Sequence, residues 1–346
     1  MKKRFIVLIA IFAIILPILG FVSGCFINGK CNYKYTNTNE HLKNWMSMIK
    51  DDTKINNIVI PGSHDSGSYT MIYMAETQKF DIQKQLELGF RYFDIRITNE
   101  DGKYLIFHDI INGVEAEPII KNFADFLKDN PSEFLILDFQ KFKNDSEAKV
   151  IELINTYLAP YLVHNESLES DLAFIDSLTL GQVRGKCIVL FGTYGYFDLD
   201  YVFPRNNDKC TNKNCALDSK YIEDYHFTTL ANLIENGHKD YISSIKSKIE
   251  TENHKGLFVL QSQLTDHKKI FGPWSRENKI AEETSTINMS TYISNLHLSD
   301  DFEYINIIMR DFVNQEKAEN IIRLNYYKHI IKDECDDEFM NIFKVA

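Results

Sequence analysis

The chain has 346 residues, of which 44% are hydrophobic, 13% aromatic and 25% charged, so it has enough apolar side chains for a large folded core. Disordered chains are poor in aromatic and β-branched residues, so this composition excludes that class. The formal net charge of −11 disfavours binding to nucleic acid and to an anionic membrane through the surface as a whole. Any membrane contact must therefore be local.

The first 25 residues predict an export signal. Residues 2–4 are basic, residues 5–22 are apolar, and small residues follow up to Cys25. The sequence VSGC at residues 22–25 resembles a bacterial lipobox, whose cysteine becomes the lipidated first residue. Plain secretion and an uncleaved anchor stay open, because the apolar run just reaches the length of a bilayer span. Each alternative places the rest of the chain outside the cytoplasm, as a cell-surface lipoprotein or a secreted protein.

The remaining cysteines fit an oxidising compartment. Cys210 and Cys215 lie in a polar stretch and could close a short disulfide, with reduced surface thiols as the alternative. No histidine or second cysteine pair lies at ligand spacing, so we expect no zinc site.

From residue 26 onwards the chain predicts a tether with a first helix, followed by alternating strands and helices. The tether and first helix occupy residues 26–54, the alternation covers residues 55–330, and residues 331–346 form a C-terminal tail. Many apolar runs are continuous, as expected for strands that are buried on both faces of a parallel sheet. The predicted strands are residues 58–60, 92–97, 104–107, 134–139, 187–191, 257–261 and 304–309. The predicted helices are residues 40–49, 118–128, 145–161, 241–250 and 315–324.

This alternation predicts an α/β fold, a TIM-type barrel in a single domain. A doubly wound open sheet could use the same elements, but it usually carries a glycine-rich phosphate loop after its first strand. The sequence contains neither GxGxxG nor GxxxxGK[ST]. The barrel is therefore favoured.

Ionisable residues follow the predicted strands at four places. His64 follows the first strand, Arg96 ends the second, His108 follows the third, and Asp311 follows the last. Because the carboxyl ends of barrel strands open on one face, we expect these four side chains to converge. Structural roles are the alternatives, such as an Arg96–Asp94 pair or a helix cap by Asp311.

Two histidines and an arginine suit the cleavage of a phosphodiester by an internal hydroxyl group. An imidazole titrates near pH 6.5, at about the operating pH, so one ring can begin neutral as a base and the other protonated as an acid. Asp65 and Asp311 are available to orient the two rings. The planar guanidinium of Arg96 can bind two phosphate oxygens and stays charged.

Longer stretches around these residues carry a family resemblance. They are IPGSHDSG at residues 60–67, QLELGFRYFDIRI at 85–97, FHD at 107–109, EFLILDFQKF at 133–142, and residues 305–324. Over about residues 55–330 the chain resembles the X-domain family of phosphatidylinositol-specific phospholipases C. The resemblance implies a distorted TIM barrel that acts on a membrane phospholipid and yields diacylglycerol and a cyclic inositol phosphate.

The resemblance also implies a role for each candidate catalytic residue. His64 corresponds to the general base with Asp311 as its carboxylate, and His108 corresponds to the general acid, supported by Asp65. Arg96 lies where metal-independent bacterial members carry a phosphate-binding arginine. Calcium-dependent members have an acidic ligand there and an asparagine directly after the first histidine. We therefore expect no metal and no other cofactor, with calcium as the disfavoured alternative.

Substrate contacts follow less directly from the resemblance. Lys141 lies near a lysine of the family, and Asp218 and Tyr221 resemble its inositol-binding carboxylate and stacking tyrosine. The bacterial members also use an arginine after the fifth strand. We expect that strand at residues 187–191, and residues 190–194, LFGTY, contain no arginine. This departure puts inositol specificity in question.

Local membrane contact is predicted for the loop with Phe271 and Trp274, and for residues 69–74, because tryptophan suits a bilayer interface. A packed loop is the alternative for Trp274. We expect a monomer that works at the membrane surface and binds no nucleic acid. Other possible functions are a phosphodiesterase for another phospholipid head group and a catalytically inactive inositide-binding module. A serine hydrolase using Ser66 is disfavoured, since no GxSxG motif surrounds it.

Overall fold

The computed structural model describes residues 40–72, 75–167, 169–193, 195–205, 215–218, 233–263 and 289–343. The strands in these ranges are β1 (Ile60–Ser63), β2 (Tyr92–Glu100), β3 (Lys103–His108), β4 (Ile111–Glu115), β5 (Leu135–Lys143), β6 (Cys187–Phe191), β7 (Val202–Pro204), β8 (Leu217–Asp218), β9 (Leu257–Gln261) and β10 (Ile307–Arg310). The α-helices are α1 (Glu40–Lys43), α2 (Ile82–Glu87), α3 (Ala116–Asp129), α4 (Glu147–Tyr157), α5 (Asp171–Ser177), α6 (Leu180–Val183), α7 (Lys239–Glu252), α8 (Gln315–Ile322), α9 (Leu324–Tyr327) and α10 (Asp336–Phe343). Residues 289–294 are helical as well.

Parallel strands form a nearly closed TIM-type barrel, as the sequence predicts. The strand order is β7-β6-β5-β2-β1-β10-β9-β8. A parallel bridge between Arg205 and Leu217 links the outer strands β7 and β8, and the Ala216 N–H donates to the Pro204 carbonyl at 2.8 Å. Around the barrel, the strands therefore follow one another in chain order, which is the arrangement of a TIM barrel and not of a doubly wound sheet.

The continuous apolar runs are explained by burial on both faces of the sheet. All five residues of β6 are buried, as are the first five residues of β5. One face fills the barrel interior and the other is covered by helices. For example, the Phe93 ring of β2 packs on the Phe123 ring of α3 with centroids 4.9 Å apart. Within the described ranges, no helix combines the length and apolar composition that a membrane span requires.

The prediction that the third strand belongs to the barrel is wrong. β2 runs for nine residues, and β3 returns antiparallel beside it with Ile97 opposite Ile106. The turn consists of Asp101 and Gly102, with φ of 52° and 86°. Positive φ at both central residues defines the two-residue hairpin turn for which Asp-Gly is a strong signal. β4 then pairs antiparallel with β3, so β3 and β4 form a hairpin that extends β2.

Two short strands escaped the sequence analysis. β7 has three residues and β8 has two, which is too short to show a periodic pattern. They are the fifth and sixth parallel strands, so β6 is the fourth barrel strand. The expectation that residues 187–191 form the fifth strand is wrong, because it counted the antiparallel strand β3 as a barrel strand.

Both ends of the described chain pack into the core. Leu42 and Trp45 near the beginning are fully buried, as is Phe339 in α10. The Trp45 indole N–H donates to the Gly89 carbonyl at 3.0 Å. The described residues between 40 and 343 belong to one compact unit, in which the segments around Trp45 and Phe339 are buried.

A buried ion pair joins the first helical segment to the barrel. Arg91 and Glu133 are both fully buried, and the Arg91 Nε donates to Glu133 Oε2 at 2.9 Å. The same guanidinium donates to the carbonyls of Leu42 and Lys43 at 3.1 and 2.8 Å. Glu133 in turn accepts a hydrogen bond from the Met46 N–H at 3.1 Å. Each charge is thus paired and hydrogen-bonded, which is the condition under which buried charges are tolerated.

Cys215 is disulfide-bonded, in agreement with an oxidising compartment. Its predicted partner, Cys210, lies outside the described residues. Cys187 is a free thiol buried in β6, and Cys335 is a free thiol near α10.

Candidate active site

The loop after β1 places His64 and Asp65 at the carboxyl end of the barrel. The His64 N–H donates to the Arg310 carbonyl at 3.1 Å, and the Asp65 N–H donates to Asp94 Oδ2 at 3.1 Å. Asp65 has φ of 42°, in the left-handed region, where aspartate and asparagine are tolerated better than most residues. The chain can therefore turn sharply here and keep a carboxylate at the turn.

His64 is oriented by Asp311. The Nδ1 of the ring lies 2.7 Å from Asp311 Oδ1, and the side chain is 16% exposed. Nδ1 donates this bond, so Nε2 is the ring atom that faces the site. His64 Nε2 lies 3.4 Å from Asp65 Oδ2 and 3.2 Å from Arg96 Nη2. The predicted pairing of His64 with Asp311 is present.

Gln78 supports this arrangement, and sequence reasoning missed it. It is fully buried, and its Nε2 donates to the carbonyls of His64 and Arg310 at 2.7 and 3.2 Å. Its Oε1 accepts from the Val313 N–H at 3.0 Å. Gln78 therefore ties the loops that carry His64 and Asp311 to each other. A glutamine outside every recognised motif gives no sequence signal of such a role.

Arg96 bridges two carboxylates beside His64. Its Nη1 lies 2.7 Å from Asp65 Oδ1, and its Nη2 lies 2.8 Å from Asp94 Oδ2. Burial lowers the pKa of the Arg96 guanidinium, but Asp65 and Asp94 outweigh it and raise that pKa. Burial raises the pKa of Asp65, whereas Arg96 and the two histidines hold it far below its usual range. Arg96 and Asp65 are therefore both charged.

The contacts of Arg96 also disfavour metal binding at this site. Among the described residues, His64, Asp65 and Asp94 offer ligand atoms that lie within 4.8 Å of one another. The guanidinium of Arg96 already contacts both carboxylates at the distances above, so a metal ion would have to displace it and bind beside a fixed positive charge. The donor set is therefore poorly matched to a cation.

His108 reaches the site from β3, through the hairpin. Its Nδ1 donates to the Ala75 carbonyl at 2.9 Å, which leaves Nε2 to face the site. His108 Nε2 lies 3.6 Å from Asp65 Oδ2, the oxygen that is 3.4 Å from His64 Nε2. The predicted convergence of the two histidines is present, but its predicted cause is wrong, because β3 arrives antiparallel to the barrel strands.

Of the two predicted substrate contacts that the structure describes, Lys141 and Asp218, Lys141 lies beside this group. It lies on β5 and pairs in register with Arg96 on the neighbouring strand β2. Burial and the nearby Arg96 charge lower the pKa of the Lys141 ammonium. Tyr221, the predicted membrane contacts Phe271 and Trp274, and the predicted lipidation site Cys25 lie outside the described residues.

Asp218 has another partner. It forms an ion pair with Lys248 of α7, a helix that packs outside the barrel. In the sheet register Asp218 lies opposite Phe258, three residues before β9 ends at Gln261. These contacts turn its carboxylate towards the helix layer and give no support to the predicted substrate contact.

The barrel interior holds a polar cluster that the sequence analysis did not find. The side chains of Tyr92 and Arg205 both contact the Asp138 carboxylate, at 2.7 and 2.8 Å. Burial raises the pKa of Asp138 to about 6, against the opposing effect of Arg205. Arg205 directly follows β7, the fifth parallel strand. The expectation of no arginine after the fifth strand is therefore wrong, because it counted β6 as that strand.

The charge of His64 predicts a pH-dependent stability. Burial lowers the pKa of its imidazole, but the Asp65 and Asp311 carboxylates outweigh burial and raise the pKa to about 9. Because the folded protein holds the proton of His64 more tightly than the unfolded chain does, protonated His64 stabilises the fold fully below pH 6.5. This contribution is lost as the pH rises to about 9. We expect the unfolding free energy of the wild type to fall by on the order of 3 kcal/mol more than that of His64→Gln over this range. Urea unfolding at both pH values measures this, and parallel pH profiles would contradict it.

The fold and the site together define a class: a TIM-type barrel with two histidines and one arginine around one aspartate at the carboxyl end of its strands. Residues 52–191 match the family model for the phosphatidylinositol-specific phospholipase C X domain. Residues 52–191 therefore belong to the phosphatidylinositol-specific phospholipase C X-domain family.

Two bacterial proteins of similar sequence are both named 1-phosphatidylinositol phosphodiesterase. The chain is 30% identical to the 1-phosphatidylinositol phosphodiesterase of Listeria monocytogenes over 180 residues, which cover 47% of this chain and 55% of that protein. It is 31% identical to the protein of the same name from Staphylococcus aureus strain Newman over 163 residues, covering 44% and 51%. The chain thus matches about half the length of these curated relatives.

A solved structure supports the same fold. The phosphatidylinositol-specific phospholipase C of L. monocytogenes superposes with a TM-score of 0.59 at 23% identity, covering 82% of this chain and 98% of that one. At this identity, the likeness shows the barrel fold alone.

Proposed function

We propose that this protein is a phosphodiesterase that cleaves phosphatidylinositol-type lipids into diacylglycerol and a cyclic inositol phosphate. One observation carries the proposal: a single carboxylate oxygen of Asp65 lies near Nε2 of both His64 and His108, with Arg96 on the same carboxylate. This arrangement supports the proposal, because two imidazoles that can transfer protons and one guanidinium that can bind phosphate suit the displacement of an alcohol from a phosphodiester.

Each residue has one step in the proposed reaction. Neutral His64 takes the proton of the inositol hydroxyl next to the phosphate, and that oxygen attacks phosphorus. Arg96 binds the non-bridging oxygens, where negative charge develops. His108 donates a proton to the diacylglycerol oxygen as its bond to phosphorus breaks. Because the pKa of His64 is raised to about 9, only a small fraction is neutral at pH 7, but that fraction is a strong base.

We propose that the reaction needs no metal ion. Arg96 supplies the positive charge at the phosphate and already contacts Asp65 and Asp94. Lys141 and Arg205 are proposed as head-group contacts, because both lie at the carboxyl ends of barrel strands near the catalytic group. Lys141 does so by its register with Arg96, and Arg205 does so directly after β7.

The proposed place of action is a membrane surface outside the cytoplasm, where the protein works as a monomer. The export signal and lipobox at Cys25 support export, and the lipid substrate requires a membrane. Two exposed apolar residues adjoin His108: Ile110 is 90% exposed on the hairpin, and Ile72 is 56% exposed close to Ala75. They suit local contact with lipid, in addition to the predicted contacts Phe271 and Trp274.

The proposal is tested with the full chain and phosphatidylinositol vesicles, in EDTA and then in calcium. We expect equal release of a water-soluble product in both, and a ³¹P resonance of a five-membered cyclic phosphate. His64→Gln should remove the activity, while His164→Gln, a variant of an exposed histidine that pairs with Asp200, should keep it. Activity that requires calcium would remove the role given to Arg96. Activity only on other head groups would change the substrate, and inactivity on every phospholipid would favour an inositide-binding module.

A further inference from the structure

A basic cleft lies at the end of the barrel opposite the catalytic group. Its volume is about 510 Å³. Its walls come from the segments that precede β1, β9 and β10 and from the segment after α9, all on the amino-terminal side of the strands. The charged and titratable residues that line it are Lys50, Asp52, Lys54, Lys255, Glu303, Tyr304 and His329.

Two lysine ammonium groups meet at one carbonyl oxygen beside this cleft. Lys328 Nζ donates to the Glu303 carbonyl at 2.9 Å, and Lys255 Nζ donates to the same oxygen at 3.4 Å. Lys255 also donates to the Asn56 carbonyl at 2.8 Å, and Lys328 to Asn57 Oδ1 at 3.4 Å. Every hydrogen-bond partner of the two groups among the described residues is therefore uncharged.

The two positive charges lack a balancing carboxylate at short range. Within the described ranges, no carboxylate oxygen lies within 4.0 Å of either Nζ atom. Asp176 is the nearest acidic influence on Lys255, but it accepts from the backbone N–H of that residue and from Asn56. Buried or half-buried charges are normally paired, so this pair of ammonium groups is an exception that needs a cause.

Burial lowers the pKa values of the Lys255 and Lys328 ammonium groups. Burial and the nearby Lys255 lower the pKa of Lys328 to about 7, while burial lowers the pKa of Lys255 to about 8. Asp176 and Glu303 raise the pKa of Lys255, and Glu303 raises that of Lys328, but neither carboxylate offsets the burial of the two positive charges. An anion in the cleft would relieve this cost and restore both charges. The net charge of the whole chain is −11, so this cluster of basic residues is a local exception in an acidic protein.

We propose that this cleft is a second binding site, which takes the phosphate group of a soluble molecule. A phosphate has several acceptor oxygens for ammonium donors on different walls, and lysine binds it as a point charge. A soluble ligand is favoured over a lipid head group, because the cleft opens at the barrel end away from the catalytic group. The inference does not depend on the proposed catalysis.

The test measures thermal unfolding of the full-length protein with millimolar inorganic phosphate, at pH 6.5 and constant ionic strength set with chloride. We expect phosphate to raise the wild-type Tm by about 2 °C or more. Lys255→Gln and Lys328→Gln should each weaken phosphate binding about tenfold or more, because each removes a charged donor. Glutamine can still donate to the Glu303 carbonyl, so the local structure keeps a hydrogen bond.

Lys332→Gln is the matched control. Lys332 also donates to a backbone carbonyl, that of Ser47 at 2.8 Å, but it neither lines the cleft, as Lys255 does, nor shares the Glu303 carbonyl with Lys255, as Lys328 does. This variant should keep the full response to phosphate. The proposal is overturned if both cleft variants respond to phosphate as the wild type does, since the anion would then bind elsewhere, as at Arg96.

A second measurement keeps the test decisive if the cleft variants do not fold. In the wild type, inorganic phosphate and glycerol phosphate should protect Lys255 and Lys328 from acetylation, as followed by mass spectrometry, and leave Lys332 unprotected. Vesicles containing phosphatidic acid should give no such protection. Protection by vesicles alone would overturn the assignment to a soluble ligand, and equal reactivity with and without every phosphate source would overturn the site.

Discussion

His108→Ala is expected to lower kcat on phosphatidylinositol vesicles by about 10²- to 10⁴-fold, the usual contribution of a positioned proton donor. The physical reason is the leaving group: a diacylglycerol alkoxide is a strong base, and it departs only if a proton reaches its oxygen. His108 Nε2 is the free ring atom, since Nδ1 is held by the Ala75 carbonyl. The measurement is the initial rate of water-soluble phosphate release.

The leaving group also supplies the control for this prediction. An inositol phosphate ester of p-nitrophenol releases a weakly basic phenolate, which needs no proton. His108→Ala should therefore retain most of the wild-type rate on this ester, whereas His64→Gln should lose activity on both substrates, because the attacking hydroxyl still needs a base. Equal losses of His108→Ala on both substrates would mean that His108 is not the proton donor.

Glu133→Ala is expected to have the largest effect on stability. It leaves the fully buried guanidinium of Arg91 without its carboxylate and removes the acceptor of the Met46 N–H. Breaking a buried ion pair by removing one partner costs about 3–5 kcal/mol, because an uncompensated charge stays in the core. The measurement is the unfolding free energy from urea denaturation, which should fall by that amount relative to the wild type.

An exposed ion pair provides the comparison for Glu133→Ala. Lys121 and Asp125 form an i,i+4 pair on α3 with both side chains more than half exposed. Asp125→Ala should change the unfolding free energy by less than about 0.5 kcal/mol, as surface pairs contribute little. If the two variants lose similar stability, the Arg91–Glu133 pair does not anchor the first helical segment to the barrel.

The long buried strands were predictable because burial on both faces leaves a continuous apolar run. The predicted bounds of β6 and β9 agree with the structure, and those of β2 and β5 agree at their beginnings. The short strands β7 and β8 were not predictable, since two or three residues have no period. Counting β3 as a barrel strand made β6 the fifth strand, and missing β7 hid the true fifth strand, which Arg205 follows.

The convergence of the candidate catalytic residues was predictable because motifs with unusual residues flank the strands. His64, Arg96, His108 and Asp311 converge as expected. The hairpin was misjudged, although Asp101-Gly102 is a strong turn signal, because the apolar run after it fits a barrel strand equally well. The supporting contacts of Gln78 and Asp138 depend on tertiary packing, which no local pattern encodes.

The hairpin of β3 and β4 carries the proposed proton donor, whereas the barrel carries the proposed base and phosphate-binding residues. His64, Asp65 and Arg96 belong to the barrel, whereas His108 is carried on an appendage joined through β2. Changes in the appendage can therefore alter or remove proton donation without disturbing the phosphate-binding half. A descendant that lost only this donor would still hold the lipid head group, which offers a simple evolutionary route from an enzyme to a receptor for inositides on the same barrel.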